Sequence, residues 1–337
     1  MKKKFKKGLL ALLLAPTMLF AAACTKSIPS EDFVEKMTSA AENYYSATNT
    51  SKKTMELKIN SENSWKEKVE YGAEDENSVE KEFKSVTETS QKIEMGYKDA
   101  KGNELLRVTE KTKTTTNGFQ EKADETGVES VTNVEEEKVV TTFVTILGLN
   151  EEPDQYKAYI ETTTKENDDE AVVEKEIYTY SIASNFKNAI VTVLDRVDSR
   201  WVEDNFFIGT SLEMLNLMGG TIEYYKDGRK AFGMNGSYGM TSVSDGEIEI
   251  NNMNFDIRFE NNLPAKVTMS SEESVKNSYL PEEDRPSEIN PVNNYTGELT
   301  ISYSCGAIEV PAGFEDADAT YSAPSISVAS MSVGSFL

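Results

Sequence analysis

Apolar residues recur at every second position through much of this chain, and turn-forming residues separate the runs. Met55-Glu-Leu-Lys-Ile59, Ile93-Glu-Met-Gly-Tyr97 and Leu106-Arg-Val108 each alternate in this way, with a turn at 98–103 between the last two. A strand of period two buries one face and wets the other, so the pattern predicts antiparallel sheet. Further strands are expected over 139–147, 156–163 and 172–182, the last two joined by the acidic turn Glu166-Asn-Asp-Asp-Glu170. A second strand-rich stretch covers 221–225, 231–238, 247–250, 252–259 and 265–269. Its turns are Asp227-Gly228, Asp245-Gly246 and Asn261-Asn262-Leu263-Pro264, because glycine and asparagine tolerate the positive φ that tight hairpins need.

Helical spacing interrupts the strands in three places. Ser30 caps a helix predicted over 30–47, with Glu31 and Asp32 in its first turn and Phe33, Val34, Met37, Ala40, Ala41, Tyr44 and Tyr45 as its apolar stripe. Phe186, Ile190, Leu194, Val197 and Trp201 mark a second helix over 184–200, and a shorter one over 211–218 closes at Gly219-Gly220. Pro281, Pro286 and Pro291 punctuate a loop over 271–294, and a Ser/Ala-rich tail over 316–337 is expected to be disordered. The fold class that follows is α+β: a mostly antiparallel, strongly curved β-sheet, or half-barrel, covered by an N-terminal helix and a central helical segment. It occupies 30–315 as one domain, or as two small ones if the strand-rich halves fold apart.

Composition narrows the chemistry. The chain has no histidine, so the His-dependent nucleophilic triads and zinc motifs are excluded. Its formal net charge of −23 argues against nucleic acid as a partner, since phosphate-backbone affinity comes from Lys and Arg. Acidic runs at 74–76, 135–137, 166–170 and 282–284 lack EF-hand spacing and read as solvated turns, so no metal and no cofactor is expected. Carboxylate pairs arise by chance among 58 acidic residues, and no catalytic constellation or phosphate-binding loop stands out; the expectation is a protein that is not an enzyme.

The first residues place the chain. Lys2, Lys3, Lys4, Lys6 and Lys7 precede an apolar run over 9–23 that is shorter than a membrane span, so 1–23 reads as an export signal. Leu19-Phe-Ala-Ala-Ala-Cys24 resembles the lipobox of bacterial lipoproteins, with Ala21 where leucine is usual; the alternative is an ordinary signal with an unrelated cysteine. The resemblance implies lipid on Cys24, a short tether over 24–29, and a location on the extracytoplasmic face of the cell membrane. A lipidated Cys24 cannot pair with Cys305, so no disulfide is expected, and Cys305 reads as a buried strand cysteine in Leu299-Thr-Ile-Ser-Tyr-Ser-Cys305.

The order of helix, strands, helical interlude and strands on a short tether resembles the lipoprotein-carrier superfamily, the LolA/LolB-like and LppX/LprG-like proteins. Local echoes are Phe259-Glu-Asn-Asn-Leu-Pro-Ala-Lys-Val267 and Ile308-Glu-Val-Pro-Ala-Gly-Phe314. That resemblance implies an apolar cavity for a lipid or acyl chain. Met214, Leu215, Met218, Tyr224, Phe232 and Met234 are its candidate lining, since methionine suits flexible ligands, although the same residues at the same spacing also make an ordinary core. The other reading is a cell-envelope interaction or sensor protein that contacts a protein partner and holds no small molecule.

Overall fold

A computed structural model describes residues 25–46, 52–70, 78–123, 129–148, 155–181, 186–208, 219–244, 247–277, 292–310 and 328–332. Its strands are β1 (Thr25–Ser27), β2 (Lys53–Glu70), β3 (Ser78–Lys98), β4 (Glu104–Ala123), β5 (Glu129–Gly148), β6 (Gln155–Glu166) and β7 (Val172–Ser181), then β8 (Thr221–Asp227), β9 (Ala231–Ser244), β10 (Glu247–Glu260), β11 (Leu263–Asn277) and β12 (Val292–Ser302). Helix α1 spans Ser30–Ser46 and α2 spans Phe186–Val197; α2 runs on into a π-helical turn, Asp198–Glu203, and a single α-turn, Asp204–Phe206.

All twelve strands form one sheet in the order β1-β8-β9-β10-β11-β12-β2-β3-β4-β5-β6-β7. Its ladders are antiparallel, and its edges are β1 and β7, so it does not close. The two strand-rich halves of the sequence are therefore one layer, joined where β12 pairs with β2 from Val292↔Ser64 to Ser302↔Thr54.

Alternation decides which face is dry. Met55 and Leu57 of β2, Ile93 and Met95 of β3, Leu106 and Val108 of β4, Phe255, Ile257 and Phe259 of β10, and Leu299 and Ile301 of β12 are all buried in one cluster with the helices. From α1 only Phe33, Ala40 and Tyr44 are fully buried, while Val34 and Tyr45 stay about half exposed. The stripe is narrower than the apolar spacing suggests because the helix lies on a single sheet surface. Ile190, Val193, Leu194, Val197 and Trp201 form the inward face of α2 and its π-turn. The Tyr44 hydroxyl donates to Asp198 Oδ1 at 2.5 Å, and Lys53 Nζ lies 4.5 Å from the Tyr44 ring centre, which ties α1, β2 and the π-turn together. Burial pushes the Asp198 carboxyl up and the Lys53 ammonium down from their ordinary values.

The strands outrun their apolar signal. In β2–β5 the alternation marks only the half that meets the helices; beyond it the same face continues as Gln91–Glu110, Thr89–Thr112, Thr87–Thr114 and Ser85–Thr116 pairs across β3 and β4. Threonine keeps strand propensity without marking a buried face. The loop expected at 271–294 is likewise strand at both ends, since β11 runs to Asn277 and β12 starts at Val292. Turns follow the sequence more closely: Asn261 and Asn262 take φ of 52° and 62°, and Asp99 accepts hydrogen bonds from the Lys101 and Asn103 amides.

Three further expectations change. Thr25–Ser27, read as tether, is strand β1 on the edge of β8, with Thr25 opposite Asp227, because a short extended segment can occupy an otherwise unpaired edge. Cys305 lies beyond β12, half-buried against the small cluster of Leu105, Tyr159 and Ile308. Residues 328–332, within the stretch expected to be disordered, are packed: Val328 and Met331 are buried, and the carbonyls of Ala329 and Met331 accept hydrogen bonds from Trp201 and Asn205.

Candidate functional site

Of the side chains that the sequence nominates as cavity lining, Tyr224, Phe232 and Met234 come together under α1. Phe33 stacks on Tyr224 at 4.8 Å and meets Phe232 and Phe259 edge-on at 6.0 and 6.3 Å, while Phe232 and Phe259 stack at 4.8 Å. Met234 is fully buried in the same cluster. This group is a packed core, with ring contacts on several sides. Met214, Leu215, Met218 and Cys24 lie outside the described residues.

The other face of the sheet carries what sequence reading missed. Several polar residues here alternate with buried ones: Asp256 lies between Phe255 and Ile257, Thr268 between Val267 and Met269, and Glu298 and Lys58 beside Leu299 and Leu57. Register turns them into transverse rows. One row runs Glu223, Asn235, Asp256, Thr268, Glu298, Lys58, Ser90 and Lys111, strand to strand from β8 to β4. The next, from Thr221 through Ser237, Asn254, Ser270, Thr296, Asn60 and Glu88 to Lys113, runs beside it. Laid flat, such a row spans roughly 33 Å at the usual spacing of strands. Both rows nonetheless line one cavity of about 1020 Å³.

Glu223, Asp256 and Glu298 come from β8, β10 and β12, and Lys58, Lys111 and Lys113 from β2 and β4, with Glu88 of β3 opposite Lys113. Rim partners hold two of them: Lys266 bonds Glu298 at 2.8 Å and Glu137 bonds Lys113 at 2.7 Å. Asp256 accepts a hydrogen bond from the Tyr225 hydroxyl at 2.9 Å, and burial raises the affinity of its carboxyl for a proton. The described residues contain no group of three or more acidic or cysteine side chains placed to hold a metal ion. The cavity's amide, hydroxyl, carboxylate and ammonium groups can offer donors and acceptors to a polar ligand, beside apolar lining from Ile59, Phe255 and Met269. No sequence signal could have assembled it, because each row depends on eight strands being in register.

No protein-family model and no curated protein matches the sequence. Among solved structures, the β domain of the Bordetella autotransporter BrkA matches at 7% identity with a TM-score of 0.18, over 74% of this chain and 99% of that one. The translocator domain of the autotransporter NalP from Neisseria meningitidis matches at 6% identity with a TM-score of 0.16, over 80% and 94%. Likeness at that level fixes neither fold nor function.

Proposed function

We propose that this chain is a lipid-anchored extracytoplasmic protein of the cell envelope that binds a hydrophilic partner, a polypeptide segment of mixed charge, on the polar face of its sheet. One observation carries the reading: two register rows from eight strands converge on a single cavity. Convergence of that width supports a strongly curved, half-barrel sheet with the polar face inside. The acidic wall from Glu223 to Glu298 and the basic wall from Lys58 to Lys111 suit a segment carrying both signs of charge, and the partner is bound without being chemically changed. Carriage of a lipid or acyl chain, the other reading of the sequence, needs Tyr224, Phe232 and Met234 to line space; their contacts with Phe33 and Phe259 favour the polar face instead.

The anchor rests on the lipobox-like run that ends at Cys24. Pairing of Thr25 with Asp227 brings that cysteine within one residue of the sheet edge, so the domain stands against the bilayer with no free spacer. Growth with an alkynyl fatty acid tests this part: label on the wild-type chain and none on Cys24→Ser supports the anchor, and an unlabelled wild-type chain overturns it. Native mass spectrometry tests the ligand class, because a phospholipid that copurifies in stoichiometric amount would overturn the hydrophilic reading.

A further inference from the structure

Residues 328–332 lie on the helix side of the sheet, between the π-turn and strands β12 and β3, and they contribute no strand to the sheet. Four of their polar contacts are made through the main chain. Trp201 Nε1 donates to the Ala329 carbonyl at 2.6 Å, Arg200 Nη1 to the Val328 carbonyl at 3.2 Å and Asn205 Nδ2 to the Met331 carbonyl at 2.6 Å. In return the Ala329 amide donates to Gln91 Oε1 at 3.0 Å. Trp201, Asn205 and Gln91 are themselves buried, at 0%, 0% and 2% exposure.

Gln91 and Asn205 each have a second partner in the surrounding protein. Glu110 accepts from Gln91 Nε2 at 2.5 Å, which turns the amide oxygen toward Ala329, and Asn205 Nδ2 also bonds the Arg200 carbonyl at 3.0 Å across the widened π-turn. Buried polar side chains are as a rule hydrogen-bonded, and here the main chain of the segment supplies partners for Trp201, Asn205 and Gln91. The two deeply buried side chains of the segment lie three positions apart, with Ala329 partly buried beside them. Val328 and Met331 are buried, with Met331 seated on Gly297, where a Cβ would stand 2.3 Å from its sulfur; Ser330 between them is exposed.

We infer that this groove is a peptide-binding site for an extended segment of the pattern apolar-x-x-apolar, and that residues 328–332 are its resident ligand, replaceable by the same segment of a second copy. Backbone recognition with two apolar seats is the mode by which sheets and grooves take short peptides in trans. Residues 311–327 separate the segment from the rest of the described chain, so the same segment can be offered by a neighbour on a membrane surface. Nothing in this inference depends on the polar face.

The test uses the full chain with a protease site inserted between residues 318 and 319, cleaved after folding, and a fluorescent peptide of residues 324–337. The inference predicts that labelled peptide replaces the cleaved fragment on the folded protein, with saturable binding that Asn205→Ala weakens about tenfold, the loss of roughly one good hydrogen bond. A chain ending at Ser327 should take up the same peptide, with a blue shift of the Trp201 emission. If the cleaved protein stays folded and never exchanges its fragment, the segment is an ordinary part of the core and the inference fails. It fails also if the peptide binds with equal strength after Asn205→Ala and Gln91→Ala.

Discussion

Phe232 and Phe259 stack with ring centres 4.8 Å apart and planes within 4° of parallel, on adjacent strands paired directly opposite one another. Phe206 meets Phe259 edge-on at 5.7 Å, so the stack is closed from the helical side as well. Substituting Phe259→Ala therefore removes a fully buried ring at the junction of three elements. The expected cost is about 3–5 kcal/mol, read as a shift in urea midpoint at constant slope. A cost near zero would mean that space already exists there, as an apolar ligand cavity requires.

Glu94 accepts from Arg107 Nε at 2.7 Å and from Lys92 Nζ at 3.0 Å while only 5% exposed. Burial alone would raise its carboxyl, but the hydrogen bonds from Arg107 and Lys92 outweigh burial and hold it below the usual range. A depressed folded value means that the ionised form stabilises the fold above the ordinary glutamate range and that this support is lost as pH falls through the folded value. Glu94→Gln should cost about 1.5–3 kcal/mol at pH 7, with a penalty that shrinks on acidification. Denaturation curves at pH 7 and pH 3 check both halves.

The Tyr44 hydroxyl is the donor that Asp198 receives inside the core. Tyr44→Phe leaves that carboxyl buried beside Lys53, and the expected destabilisation is about 1–3 kcal/mol. Tyr45→Phe, which loses only the exposed bond to Glu203, should change stability by less than about 0.5 kcal/mol. Thermal melts of the two variants side by side give the comparison, and equal losses would contradict the asymmetry.

Lys58 and Lys111 are exposed on the polar face and form no ion pair among the described residues. Lys58→Glu with Lys111→Glu should leave stability within about 1 kcal/mol of wild type yet abolish partner recovery from cells, since like charges then face across the groove. Recovery unchanged by the double reversal would remove the basic wall from the account.

How far the fold is legible depends on where a residue's neighbours lie in the chain. Helix α1 starts at Ser30 with Glu31 and Asp32 in its first turn, and the Asn261-Asn262 turn follows from two residues that accept positive φ, because both are local. The outer halves of β3 and β4 are not legible, since Thr87 facing Thr114 gives no contrast between a dry and a wet face. Lys58 and Glu298 are adjacent only because β12 pairs with β2, a contact that neither residue announces. The packed segment at 328–332 is masked by its own composition: Val328 and Met331 are two apolar residues among serines and alanines, and their spacing of three was the one available signal.

The polar face, and not the helix-covered one, is expected to meet the partner. Site-specific photo-crosslinking in cells tests it directly, with the photoreactive residue placed at Asn60, Asn235 or Thr268 on the polar rows and at Val34 or Val191 on the exposed backs of the helices. A discrete, reproducible protein adduct is expected from the first three positions and none from the last two. Adducts confined to Val34 and Val191, or acyl-lipid adducts from the polar rows, would contradict it.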